Sequence, residues 1–170
     1  MQHLDLIKLD TRVSSWQRKK GEMIMKFNIA YGSNLSVEQM AFRCPDAIIA
    51  GKAVLHDWKL AFGRHATIEQ CPGAEVPVLI WQISDEDEKS LDRYEGCPKY
   101  YYKEYLDVVM TDLDGNNPAV VNAMVYIMTE IQKNGRPSPH YYCTIKEGYI
   151  RFGFDTEILR DALYECGGYC

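Results

Sequence analysis

The chain has 170 residues, of which 46% are hydrophobic and 25% charged, with a formal net charge of −5. This is the composition of a globular protein, long enough for one domain with a real core and too short for two comfortable ones. The acidic balance argues against a nucleic-acid partner, and no apolar run approaches the roughly 18 residues that a membrane span needs.

The beginning of the chain differs from the rest. Residues 1–26 hold six basic side chains against three acidic ones, a surplus of +3 that leaves −8 on the remainder. A basic arm can meet phosphates, but a solvated extension explains three surplus charges as well. Residues 1–20 carry charges throughout and lack the apolar stretch of a secretory signal, so a soluble cytoplasmic protein is the expectation. Lys20-Gly21-Glu22 can be encoded by AAR-GGN-GAR, which contains the purine-rich run of a bacterial ribosome-binding site, and Met23 and Met25 follow. Residues 1–24 are therefore expected to be a disordered extension or a mis-assigned start whose removal changes stability little, with residues 25–170 as the domain.

In chain order, residues 25–30 alternate and are rich in large apolar side chains, which predicts a strand. Ser36-Val37-Glu38-Gln39 has the form of a capping box and opens a short helix that Pro45 ends. Residues 47–55 and 58–62 read as two strands around a His56-Asp57 turn, Cys71-Pro72-Gly73 as a further turn, and residues 76–83 as an apolar strand. Ser84, Asp85, Glu86 and Asp87 supply an N-cap and first-turn acids for a helix that runs to about Tyr94 and meets a C-cap at Gly96. Residues 100–110 are rich in β-formers, Asp114-Gly115 turns the chain, and residues 119–128 return as a strand. Pro137-Ser138-Pro139 opens a helix that carries Tyr141, Ile145 and Gly148 on one face. Residues 155–166 form a last helix. Hairpins are frequent and crossover helices are not regularly interposed. The expected fold class is α+β, with a mainly antiparallel sheet curled toward a barrel and flanked by short helices.

Six cysteines (Cys44, Cys71, Cys97, Cys143, Cys166 and Cys170) are widely spaced and include no C-x-x-C. That fits neither a disulfide scaffold nor a zinc site, and most are read as small buried hydrophobes. His3, His56, His65 and His140 lie in different segments without ligand spacing, so they read as surface or satisfied side chains and no metal site is expected.

Two places carry chemistry. At Tyr31-Gly32-Ser33-Asn34 a strand gives way to a helix through small residues. The first N–H groups of a helix lack internal partners and carry partial positive charge. A glycine lets a ligand approach the backbone or permits an unusual φ, so the loop suits a carboxylate or a developing oxyanion. The same four residues also serve as a plain connection, and alone they favour that reading. The second place is Glu95, which ends the acidic helix among Tyr94, Tyr100, Tyr101 and Tyr102. An acid at a helix C-terminus opposes the dipole by roughly 0.3–1 kcal/mol, which raises its pKa and suits a proton shuttle, and the amphipathic aromatic setting adds partial desolvation. A surface glutamate tolerating that penalty is the alternative.

Taken together, Tyr31-Gly32-Ser33-Asn34-Leu35, Glu95-Gly96 after the acidic helix, and Pro137-Ser138-Pro139-His140-Tyr141 resemble the gamma-glutamylcyclotransferase-like family. The likeness runs in order from about Met25 to Asp155 and includes the CPGAEVPVLIW stretch, which is similar to the family's Pro-Gly-x-x-Val strand entry. The resemblance implies a small α+β domain with a mixed, barrel-like sheet around a cavity. It implies intramolecular aminolysis of a γ-glutamyl amide, giving 5-oxoproline and a free amine or amino acid, with no cofactor. Glu95 is then the general base and acid. Tyr31, Gly32, Ser33, Asn34, Leu35 and Tyr141 bind the substrate, and the backbone from Gly32 to Leu35 meets the oxyanion. A non-catalytic binding protein using the same cavity is the competing expectation. The partner is a small γ-glutamyl molecule, with no nucleic acid and no membrane; a homodimer is allowed.

Overall fold

The computed structural model describes residues 26–130 and 134–167. The expectations for residues 1–24 lie outside the described residues. The elements, in order, are β1 (Lys26–Ala30), a 3-10 turn (Ser33–Leu35), α1 (Val37–Arg43), β2 (Ile48–Phe62), β3 (Ala66–Ile83), α2 (Asp85–Glu95), β4 (Tyr101–Met110), β5 (Ala119–Met128), α3 (Pro139–Phe152) and α4 (Glu157–Glu165). The described strands form one sheet in the order β2-β3-β1-β5-β4. β1 runs parallel to β5, and the other neighbours are antiparallel.

The expected mixed, mainly antiparallel sheet is thus present. It curls until its edge strands meet at one isolated bridge, where Lys52 and Thr111 exchange N–H···O bonds of 2.9 and 2.8 Å. Beyond that bridge the sheet is not closed, so a barrel is too strong a word. Gly51 makes the meeting sterically feasible, since a Cβ there would lie 2.0 Å from the Thr111 carbonyl oxygen. β1, flanked on both sides, buries Asn28, Ile29 and Ala30. The core around it includes Leu79, Ile80, Met124, Ile145, Tyr149 and Leu159, each at most 1% exposed.

Two expected turns are not turns. β2 runs unbroken through His56-Asp57, and β3 through Cys71-Pro72-Gly73. His56 pairs with Glu75 and Trp58 with Gln70, so the single residue Asp57 faces four residues, 71–74, in a bulge. Asp57 and Gly73 both have positive φ (64° and 81°), and the Gly73 N–H donates to Asp57 Oδ1 at 2.8 Å. The turn-forming residues bend the ribbon without reversing it.

The helix caps follow the sequence more closely. Ser84 and Asp87 form a reciprocal capping box, and Gly96 ends α2 in the left-handed region with φ 64°. Ser138 caps α3 with Pro139 at its first position. At α1 only half of the expected box is present: Ser36 accepts from the Gln39 N–H, but Gln39 Oε1 accepts from Arg43 instead of reaching back. Of the described cysteines only Cys44 is buried; Cys71, Cys97 and Cys166 are partly exposed and Cys143 exposed, so burial explains one of them.

Candidate active site

β1 releases the chain at Tyr31, whose hydroxyl donates to the Tyr126 carbonyl of β5 at 2.6 Å. Gly32 follows. A Cβ there would stand 3.3 Å from Ala66 Cβ and 3.5 Å from the Tyr141 hydroxyl. Its φ is −118°, so close approach, and not a left-handed backbone, is the reason for the glycine. Ser33, Asn34 and Leu35 then make the 3-10 turn, with the Leu35 N–H donating to the Gly32 carbonyl at 3.0 Å. Leu35 is fully buried against α3 at Gly148, where a Cβ would lie 2.6 Å from Leu35 Cβ. From β3, Trp81 Nε1 donates to the Asn34 carbonyl at 2.9 Å. The loop is held by β5, β3 and α3 together.

Glu95 is carried inward by helical spacing. Asp87, Leu91 and Glu95 follow at i, i+4 and i+8 on one face of α2; the first two are buried and Glu95 is half-buried. Asn34 Nδ2 donates to Glu95 Oε1 at 3.0 Å, and Arg43 Nη1 donates to Asn34 Oδ1 at 2.6 Å. Burial pushes the Glu95 carboxyl up to about 7, against the lowering pulls of the Asn34 hydrogen bond and the Arg43 charge.

Two adjoining spaces share Ser33, Glu95, Tyr101 and Tyr141 as walls. The inner cavity, about 30 Å³, also touches Tyr31, Gly32, Asn34 and Tyr126. The outer cleft, about 310 Å³, adds His65, Tyr94 and Tyr100. Tyr101 donates to the Ala66 carbonyl at 2.8 Å, and the Ala66 N–H donates to the Tyr141 hydroxyl at 3.1 Å. Burial raises the ionisation of Tyr31, Tyr101 and Tyr141 well above the usual phenol value, so all three stay protonated. A larger groove of about 670 Å³ lies between β2 and β4. Its acids, Glu75 and Asp107, are exposed, so the chemistry favours the smaller space around Glu95.

Tyr31, Gly32, Ser33, Asn34, Glu95 and Tyr141 therefore converge, as the sequence leads one to expect. Leu35 does not reach the cavity: its side chain is in the core and its N–H is already taken. Of the tyrosine triplet, Tyr101 faces the inner cavity, Tyr100 borders the cleft, and Tyr102 lines neither. His65, read from sequence as a surface or satisfied residue, lies on the cleft rim with its ring 5.0 Å from that of Tyr141. Arg43, Ala66 and Tyr126 escape sequence reading. The i+4 step from Leu91 to Glu95 is the signal that marks Glu95 as inward-facing; Arg43 has none, because apart from Gln39 its partners come from the loop and α2.

The family described as gamma-glutamyl cyclotransferase, AIG2-like, matches residues 29–146. The gamma-glutamylcyclotransferase of Mus musculus is 31% identical over 151 residues, which span 82% of this chain and 77% of the mouse protein. That of Homo sapiens is 33% identical over 140 residues, 75% of this chain and 72% of its own. A solved structure of a gamma-glutamyl cyclotransferase superposes with a TM-score of 0.69 at 29% identity, covering 81% of this chain and 86% of that one. The chain belongs to the gamma-glutamyl cyclotransferase, AIG2-like family.

Proposed function

We propose that this protein is a γ-glutamylcyclotransferase in which Glu95 moves the proton. The observation that carries the reading is the half-buried Glu95 carboxyl, raised to about 7 and held by Asn34 where the inner cavity meets the outer cleft. A group that titrates near neutrality can both take and give a proton.

The γ-glutamyl group lies against the Tyr31–Asn34 loop with its leaving group in the outer cleft. Glu95, as carboxylate, takes a proton from the substrate α-ammonium. The freed amine attacks the γ-carbonyl carbon, and its second proton stays on the ring nitrogen until Glu95, having given up the first, carries it to the released amine. The N–H groups of Ser33 and Asn34, which open the 3-10 turn, face the oxyanion of the tetrahedral intermediate. Glu95 then protonates the departing nitrogen, and the γ-carbonyl C–N bond breaks. One amide gives 5-oxoproline and one amine; no water or cofactor is consumed. Ser33 binds and does not attack, since the nucleophile is the substrate's own amine. Tyr31 and Tyr141 shape the cavity, and holding amine and carbonyl in a cyclising conformation supplies much of the rate. A cytoplasmic setting accords with the free thiols of Cys44, Cys71, Cys97, Cys143 and Cys166. No helix among the described residues is long and apolar enough to cross a membrane.

The test is a mixed pool of γ-glutamyl amino acids and γ-glutamyl amines, incubated with the parent protein and with Glu95→Gln and read by mass spectrometry. 5-Oxoproline is expected with the parent alone, with a loss of ~10²–10⁴-fold in the variant. Near-parental rates in Glu95→Gln would overturn the role of Glu95. Retained ligand without turnover by the parent would leave a binding protein.

A further inference from the structure

Arg43 is the last residue of α1, and its half-buried guanidinium lies against the loop. Nη1 donates to Asn34 Oδ1 at 2.6 Å and to Ser33 Oγ at 3.3 Å. Nη2 donates to Gln39 Oε1 at 2.6 Å and to the Tyr94 hydroxyl at 2.5 Å. The guanidinium carbon stands 3.6 Å from the centre of the Tyr94 ring. One planar group thus ties the substrate loop to α1 and to the residue next to Glu95.

A guanidinium can only donate, so the oxygen of the Asn34 amide must turn toward Arg43. The amide nitrogen then points the other way, where Glu95 Oε1 accepts from it at 3.0 Å. Asn34 is only 8% exposed, and a buried amide with both ends paired has no reason to flip. We propose that Arg43 is the positioning residue of this site: by fixing the Asn34 amide it presents an N–H to Glu95 and holds the carboxyl at the junction of cavity and cleft. The proposal builds on the reading of Glu95 as the proton carrier, though the contact chain itself is independent of any substrate.

Among the described residues, no other group facing Glu95 supplies a positive charge. Those groups are the phenols of Tyr31 from β1, Tyr101 from β4, Tyr126 from β5 and Tyr141 from α3, with the thiols of Cys44 and Cys97 farther out and His65 across the cleft. Burial keeps the phenols and thiols neutral, and the His65 imidazole is also pushed toward its neutral form by burial and by Arg64. Arg43 is the cation that lowers Glu95. Lysine cannot replace it, since a single ammonium cannot reach Ser33, Asn34 and Gln39 together and stack on Tyr94.

The experiment compares the parent with Arg43→Met and Arg43→Lys. The Glu95 carboxyl is titrated directly by carbon-13 NMR, and kcat and KM are followed against pH. In Arg43→Met the carboxyl is expected to titrate above the parent's value of about 7. The acid limb of kcat/KM should move to higher pH with it, and kcat/KM at pH 7 should fall by about 10-fold or more, mostly in kcat. Arg43→Lys keeps the charge and should move the titration less, in the same direction. An unchanged Glu95 titration and acid limb in Arg43→Met overturns the proposal, even if melting temperature drops. If Arg43→Met does not fold, the lysine variant decides: a parental titration and parental kcat overturn it. If the parent releases no 5-oxoproline, the reading of Glu95 as proton carrier fails, while the carboxyl titration still decides what Arg43 does.

Discussion

Glu95 from α2 and Tyr141 from α3 both line the cavity, and each makes a separate demand on the experiment. For Glu95, sequence points to the helix dipole and to partial desolvation among tyrosines as reasons for a raised pKa; in the structure burial is the largest cause, with Asn34 and Arg43 opposing it. As the base, Glu95 must be ionised to accept the α-ammonium proton. Activity should therefore rise with pH through about 7, seen as the acid limb of kcat/KM; a flat profile from pH 5 to 8 speaks against this base. Tyr141 accepts from the Ala66 N–H at 3.1 Å. Tyr141→Phe leaves that buried donor unpaired, a penalty of about 1–3 kcal/mol, and removes a hydroxyl from the cavity wall. A lower melting temperature together with reduced kcat/KM is expected, and parental values of both would show that the hydroxyl does neither job. Six of the predicted site residues converge because each sits where one element gives way to another, and such junctions are legible from Gly, Ser and Pro. Arg43 was not legible: its role depends on the loop folding back over α1, which no local pattern encodes.

Among the elements, α3 does more than cover the sheet. Gly148 lets it close onto the 3-10 turn, and Tyr141 on the same face then reaches the loop. Gly148→Ala would place a methyl 2.6 Å from Leu35 Cβ, and neither backbone can move without shifting the Ser33–Leu35 turn. Overpacking of this kind costs about 1–3 kcal/mol. The expected result is a lower midpoint in urea and a loss of kcat/KM larger than the stability change explains, since the turn that meets the substrate is displaced. Retained kcat/KM in a folded variant would mean that α3 can withdraw without disturbing the loop. The helices themselves were legible because caps are local: Ser84, Gly96 and Ser138 each act within a few residues. β2 and β3 were not, because Asp57 and Gly73 carry the left-handed backbone that usually marks a turn. Whether such residues reverse a strand or bulge it is decided by the partner strand, which lies outside the local sequence. The same reason explains the tyrosine triplet: alternation separates Tyr101 from its two neighbours, but only the packed sheet says which face meets the cavity.

At the scale of the molecule, a functional carboxyl in a half-buried position should weaken the fold that holds it. Glu95 titrates at about 7 in the folded chain, against a reference of 4.5 for an unperturbed glutamate. A folded-state value above the unfolded one means that the folded chain holds the proton more tightly. The stabilisation is complete below pH 4.5 and is lost as pH rises through 7. Above that window the ionised Glu95 destabilises the fold by at most about 3 kcal/mol, from 1.36 kcal/mol for each pH unit between the two values. Glutamine resembles the protonated acid in shape, and its side-chain oxygen can still accept from Asn34 Nδ2. Glu95→Gln should therefore be more stable than the parent at pH 8, by roughly 1–3 kcal/mol after relaxation of the site, and close to it near pH 4.5. Denaturant unfolding of both proteins at the two pH values isolates this difference, because every other titrating group is common to the pair. Equal stabilities at pH 8 would show that the ionised carboxyl is well solvated in the folded chain. Burial could then no longer be the reason that Glu95 is able to return the proton it takes.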